Sequence, residues 1–119
     1  MTNILAVLDK KKQRLDGFRP FSIDQVANLR EWFKIELTYT SNAIEGNTLS
    51  RAETALIVEK GLTVDGKTLQ EHLEAVNHAQ AFDWIIQRID TTQQDITENT
   101  ILDLHQLILQ KIVDNQAGR

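Results

Sequence analysis

Apolar side chains recur at intervals of three and four residues along most of the chain, the spacing that lines one face of an α-helix. Near the start, Ile4, Leu5, Leu8 and Leu15 fall on one side and Lys10, Lys11, Lys12 and Arg14 on the other, which predicts an amphipathic first helix with the former set inward. After the break Gly17-Phe18-Arg19-Pro20, a second stripe runs through Val26, Leu29, Phe33 and Leu37. It opens with Ser22 and, three residues on, Gln25, a capping-box spacing in which each side chain can satisfy the other's backbone N–H. Ser50 with Glu53 and Thr68 with Glu71 repeat that spacing. The first pair opens a short helix through Ala55, Leu56 and Val58 that stops at Gly61. The second opens a helix with Leu69, Leu73, Val76, Phe82, Ile85 and Ile86 on or near its buried side. A polar connector over 90–96 follows, and Thr97 caps a last helix through Ile101, Leu102, Leu104, Leu107, Ile108 and Ile112. The stretch "LTVDGKTL" has β-branched residues on both sides of Asp65-Gly66 and reads as a small β-hairpin near 63–68 or as an ordered loop. The fold class is all-α, with about five helices.

A length of 119 residues predicts one domain over 1–119. The balance of 41% hydrophobic and 25% charged residues is that of a globular protein, and the formal charge of −4 argues against a nucleic-acid binder working by phosphate neutralisation. Protein or small-molecule partners are expected instead. The absence of cysteine excludes disulfides, thiolate chemistry and cysteine-based zinc sites, and suits a cytoplasmic location. No apolar run approaches the roughly 20 residues that span a bilayer, so no membrane association is expected. The final residues Asp114 to Arg119 are turn-forming, an ending that suits an independent domain or a piece of a longer chain.

Conventional active-site chemistry is thin. The glycines Gly17, Gly46, Gly61, Gly66 and Gly118 are isolated and form no phosphate-cradling loop. His72 and His78 lie six residues apart, about 240° round a helix, and cannot share a metal from one face. Glu74 and His78 have the spacing to pair, without a third ligand. His105, among leucines, reads as a core-edge histidine making one hydrogen bond, and Trp32, Phe33, Phe82 and Trp84 as core aromatics. No catalytic, cofactor-binding or metal-ligating residue is assigned.

One segment departs from helix design. In "TYTSNAIEGN" the second helix is expected to end at Gly46 or Asn47, which leaves Glu45 in the last turn. Unpaired carbonyls there disfavour a carboxylate by about 0.3–1 kcal/mol. Ser41, four residues earlier, lies about 40° round the helix from Glu45, so hydroxyl and carboxylate share a face. Glu45 is either an ordinary solvated residue or a carboxylate aimed at a cation from another segment or chain. Arg51 is the nearest cation downstream, beyond the turn.

The longer block "SNAIEGNTLSRAET" resembles the N-terminal regulatory region of Fic-domain proteins, whose inhibitory helix carries [S/T]-x-x-x-E-[G/N]. Ser41, Glu45 and Gly46 fill its specified positions. The segments "GKTLQEHLEAVNHAQAFDWI" and "ILDLHQLIL" follow in the family's order, so the resemblance covers most of residues 20–119. It implies a Fic-like helical fold and, for an intact protein, transfer of AMP from ATP to a hydroxyl side chain of a target protein, with ATP and Mg as cofactors. The inhibitory glutamate, here Glu45, pairs in such proteins with the second arginine of H-P-F-x-[D/E]-G-N-[G/K]-R-x-x-R and blocks the productive ATP pose. Ser41 carries over as the supporting hydrogen-bonding residue and Gly46 as the helix stop. The H-P-F motif itself does not occur in this sequence. The expected role is therefore an N-terminal autoinhibitory region, inactive alone, whose partner is a catalytic Fic core in the same or a separate chain. The alternatives are an antitoxin-like protein inhibiting a separate Fic toxin, and a helical scaffold with no nucleotide connection.

Overall fold

The capping pairs close as their spacing predicts in a computed structural model, which describes residues 3–92 and 95–112. Five helices result: α1 (Ile4–Asp16), α2 (Ile23–Ile44), α3 (Arg51–Lys60), α4 (Leu69–Thr92) and α5 (Glu98–Leu109). The Ser22 N–H donates to Gln25 Oε1 and the Gln25 N–H to Ser22 Oγ, each at 3.1 Å, which fixes the start of α2. Ser50 and Glu53 exchange the equivalent bonds at 2.9 and 3.0 Å, and Thr68 and Glu71 at 3.1 Å each. Thr97 caps α5 by accepting from the Thr100 N–H. Helix α3 stops at Gly61, whose φ of 65° is the left-handed value a helix-closing residue adopts.

The connector expected over 90–96 begins later, because α4 continues through Thr92 and the Thr91 hydroxyl donates back to the Gln87 carbonyl. The hairpin reading of 63–68 is not borne out: no strand occurs among the described residues. Gly66 makes a turn at φ 80°, but the Val64 N–H, which a ladder would need, donates to His72 Nε2 at 3.0 Å. The segment is a loop tied to α4. Among the described residues no helix is long and apolar enough to cross a membrane.

The chain divides into two compact units, Met1–Arg30 and Glu31–Arg119. In the first, none of the described residues is buried, and the predicted inward set of α1 is exposed: Ile4 70%, Leu5 66%, Leu8 54% and Leu15 60%. The amphipathic helix forms, but no described residue of its own unit covers its apolar face.

In the second unit α4 packs on both α3 and α5, and Leu49, Ile57 and Ala75 form a buried cluster, with Val58, Val64 and Val76 half-buried beside them. The stripe predicted to bury α2 is turned outward, with Phe33 46% and Leu37 45% exposed; Leu29, in the other unit, is 54% exposed. The face of α2 that goes inside carries Ile35 and Thr38. Thr38 meets α4 through a 3.0 Å hydrogen bond to His78 Nδ1. Small side chains let helices approach closely, and the buried positions of α4 are Ala75, Asn77, Ala79 and Ala81, whereas Leu69 is 75% exposed and Leu73, Val76, Phe82, Ile85 and Ile86 are half-buried. Trp32, expected in the core, is half-exposed and stacks under the Arg51 guanidinium. On α5, Ile101 is exposed and its leucines are half-buried; the predicted turn-forming tail Asp114–Arg119 lies outside the described residues.

Candidate functional site: the turn after α2

Helix α2 closes with a Schellman motif. The Asn47 N–H donates to the Asn42 carbonyl at 2.9 Å and the Gly46 N–H to the Ala43 carbonyl at 3.1 Å, with Gly46 at φ 98°. Those bonds make Glu45 the C-cap, one residue beyond the last helical residue Ile44. Gly46 is thus the stop that the sequence indicated. The Glu45 carboxylate is exposed beside the negative end of the helix dipole and makes no hydrogen bond or ion pair with the described residues. Ser41 is half-buried one turn earlier and likewise lacks a side-chain hydrogen bond to the described residues. Arg51 is not the cation for Glu45: its Nε donates to Glu36 Oε2 at 2.7 Å, tying α3 to the middle of α2.

The residues after Glu45 are held firmly. Asn47 Oδ1 accepts from the Leu49 N–H at 2.9 Å, while Asn47 Nδ2 donates to the Glu71 carbonyl and to Glu74 Oε1, each at 3.2 Å. Thr48 donates through both N–H and Oγ1 to Glu71 Oε2, and its carbonyl accepts from Lys67 Nζ at 3.0 Å. Hydrogen bonds from the Thr48 hydroxyl, the Thr48 N–H and the Thr68 N–H hold the Glu71 carboxyl down at about 2, so it is ionised throughout the neutral range. An open cleft of about 430 Å³ results, lined by Glu45, Asn47, Thr48, Gln70, Glu71 and Glu74 among others. It carries three carboxylates and no cationic group in its lining. Chemically it can receive a cation, and a guanidinium suits a free carboxylate through two parallel hydrogen bonds.

The histidines do other work. His72 Nε2 accepts from the Val64 N–H and its Nδ1 lies 2.7 Å from the Thr68 carbonyl, pinning the 61–68 loop. His78 bonds Thr38, and burial pushes its pKa below the ordinary histidine value. Glu74 is taken by Asn47, so the Glu74–His78 pair allowed by spacing is not formed. His105 is half-buried on α5 with Nδ1 lacking a hydrogen-bond partner among the described residues, so the one bond expected of it is not made at that nitrogen. Among the described residues no group of three His, Asp or Glu side chains is placed to hold a metal ion.

Sequence reasoning missed Asn47 and Glu71 as parts of this site. Asn47 carried only a helix-stop signal and Glu71 only a capping signal, and neither spacing reveals that the two meet.

No family model matches the chain. It is 37% identical over 118 residues to a protein adenylyltransferase Fic of Drosophila melanogaster, covering 96% of this chain and 23% of the relative. It is 29% identical over 116 residues to the protein of that name from Nematostella vectensis, covering 98% of this chain and 27% of the relative. With protein adenylyltransferase fic-1 of Caenorhabditis elegans the identity is 34% over 82 residues, 68% of this chain and 16% of the relative. Homologues of this name thus cover almost the whole chain, and the chain spans about a quarter of the length of the first relatives it matches.

Proposed function

We infer that this chain is part of a Fic-family protein and propose, from that premise, that it is the autoinhibitory region of a protein adenylyltransferase. Its working group is the Glu45 carboxylate. In the intact protein the reaction joins the hydroxyl oxygen of a target side chain to the α-phosphorus of ATP, with pyrophosphate leaving and the hydroxyl proton passing to a base. Glu45 acts before that step. It binds an arginine of the catalytic core that would otherwise hold the γ-phosphate, so that ATP is not held in the productive pose. Ser41 supports the same helix face and Gly46 ends the helix at the right residue. Nucleotide and Mg are assigned to the catalytic core.

The observation that carries this reading is a carboxylate at an electrostatically unfavourable helix end, without a partner among the described residues, on a turn whose next two residues are hydrogen-bonded to another helix. A solvated surface glutamate needs no such anchoring. The outward apolar face of α2, with Phe33 and Leu37 uncovered, supports packing against further protein. The in-chain form is favoured over a separate antitoxin because relatives named adenylyltransferase match this chain over 96–98% of its length, α3 to α5 included. The test is Glu45→Gly in the complete protein carrying this segment, read as incorporation of labelled AMP into protein. A rate well above wild type is expected. An unchanged rate removes Glu45 from the mechanism.

A further inference from the structure

We propose that Glu71 is a positioning residue for Glu45, acting through Thr48; this rests on the reading of Glu45 above. The Glu45 side chain makes no hydrogen bond or ion pair with the described residues, and the residue after it, Gly46, is a glycine at φ 98°. Its place is therefore set by what anchors the chain immediately beyond. Glu74 holds Asn47 and Lys67 holds Thr48 there, and one further residue of α4, Glu71, is used three ways. Glu71 Oε1 accepts from the Thr68 N–H at 3.1 Å and the Thr68 hydroxyl at 3.2 Å, which completes the cap of α4. Oε2 is not needed for the cap and accepts instead from the Thr48 N–H at 2.7 Å and from its hydroxyl. The Glu71 carbonyl accepts from Asn47 Nδ2 at 3.2 Å. A carboxylate that caps one helix thus clamps the turn that ends another. Charge-assisted bonds of this kind are stronger than neutral ones, and the low pKa of Glu71 keeps the clamp charged at any working pH.

The two oxygens allow the clamp to be separated from the cap. Thr48→Val removes one bond to Oε2, together with the 3.2 Å bond from Lys67 Nζ to the same hydroxyl, and leaves the cap, whereas Thr68→Val disturbs the cap and leaves Oε2 engaged. Glu71→Gln keeps the size but turns a donor toward one set of donors. Each substitution is made in the complete protein carrying this segment, in a Glu45 and in a Glu45→Gly background, and labelled AMP incorporation is measured beside the melting temperature. Thr48→Val and Glu71→Gln should raise incorporation, Glu71→Gln on the order of ten-fold, in the Glu45 background and leave it unchanged in the Glu45→Gly background. Thr68→Val should lower the melting temperature while incorporation stays at the starting rate. The proposal is overturned if Glu45→Gly activates but neither Thr48→Val nor Glu71→Gln does, or if their effects are equal in both backgrounds. If Glu45→Gly itself fails to activate, the reading of Glu45 falls and the proposal with it. Should Glu71→Gln fail to fold, Thr48→Val decides alone.

Discussion

Two glycines at positive φ close helices but lie at different distances from Glu45, which lets stability and inhibition be separated. Gly46 ends α2 at φ 98° and Gly61 ends α3 at φ 65°. A Cβ added at either would meet nothing within 4 Å, so alanine introduces no clash and the cost is that of the backbone alone. A left-handed conformation costs an L-residue about 1–2 kcal/mol. Alanine also restricts the unfolded chain, returning about 0.4–1 kcal/mol. The net loss is between about 0 and 1.6 kcal/mol at Gly61, centred near 0.8. At Gly46 it lies at the upper end of that range or above, because 98° falls outside the narrow left-handed well. At roughly 4 °C per kcal/mol for a chain of this size, both variants should melt a few degrees below wild type by circular dichroism. Their effects on AMP transfer should differ. Gly46→Ala relieves its strain by shifting the turn that carries Glu45 and should raise incorporation by the complete protein, while Gly61→Ala, 15 positions further along the chain and clamped to neither Asn47 nor Thr48, should not. Equal activation by the two, or activation by Gly61→Ala alone, would refute the reasoning, since general loosening would then explain the result. A Gly46→Ala protein as stable as wild type would refute the backbone argument.

Asn77 is 3% exposed and donates through Nδ2 to the Ile108 and Gln110 carbonyls at 3.1 and 2.8 Å, so it closes the end of α5. Asn77→Ala should cost about 2–4 kcal/mol in denaturant unfolding, and Asn77→Asp, which turns an acceptor on two carbonyls, at least as much; a change under about 0.5 kcal/mol would remove this role. Burial lowers the folded-state pKa of His78 below 6.5, so the unfolded chain takes up its proton first as pH falls. The stability that neutral His78 contributes is therefore present above pH 6.5 and lost as pH drops through the lowered folded value. The melting temperature should fall over that window, and less steeply in His78→Gln.

The helices were legible because their signals are local. A Ser or Thr followed three residues later by Gln or Glu, just before an apolar stripe, marks a helix start, and the three pairs read that way closed as expected. Which face goes inside is not local. Val26, Leu29, Phe33 and Leu37 form the more hydrophobic stripe of α2, yet its buried residues are Ile35 and Thr38, and Thr38 is held by a hydrogen bond to His78 of α4 that no local pattern announces. Asp65-Gly66 carried a hairpin signal, and its turn formed, but the Val64 N–H found a histidine on α4 instead of a second strand. At the candidate site, the helix stop at Gly46 and the exposed carboxylate before it were legible because both are local, whereas the role proposed for Glu45 comes from the resemblance. Glu71 was not legible: its bond to Thr48 spans 23 residues and is written in no spacing.

The most direct test of the account replaces only the charge of Glu45. Glu45→Gln keeps the size and the helix cap but cannot hold an arginine with two charge-assisted bonds. Measured as labelled AMP incorporated per minute by the complete protein, this variant should be substantially faster than wild type and fold with the same melting temperature. A rate equal to wild type would show that the carboxylate restrains nothing, and would contradict the central claim.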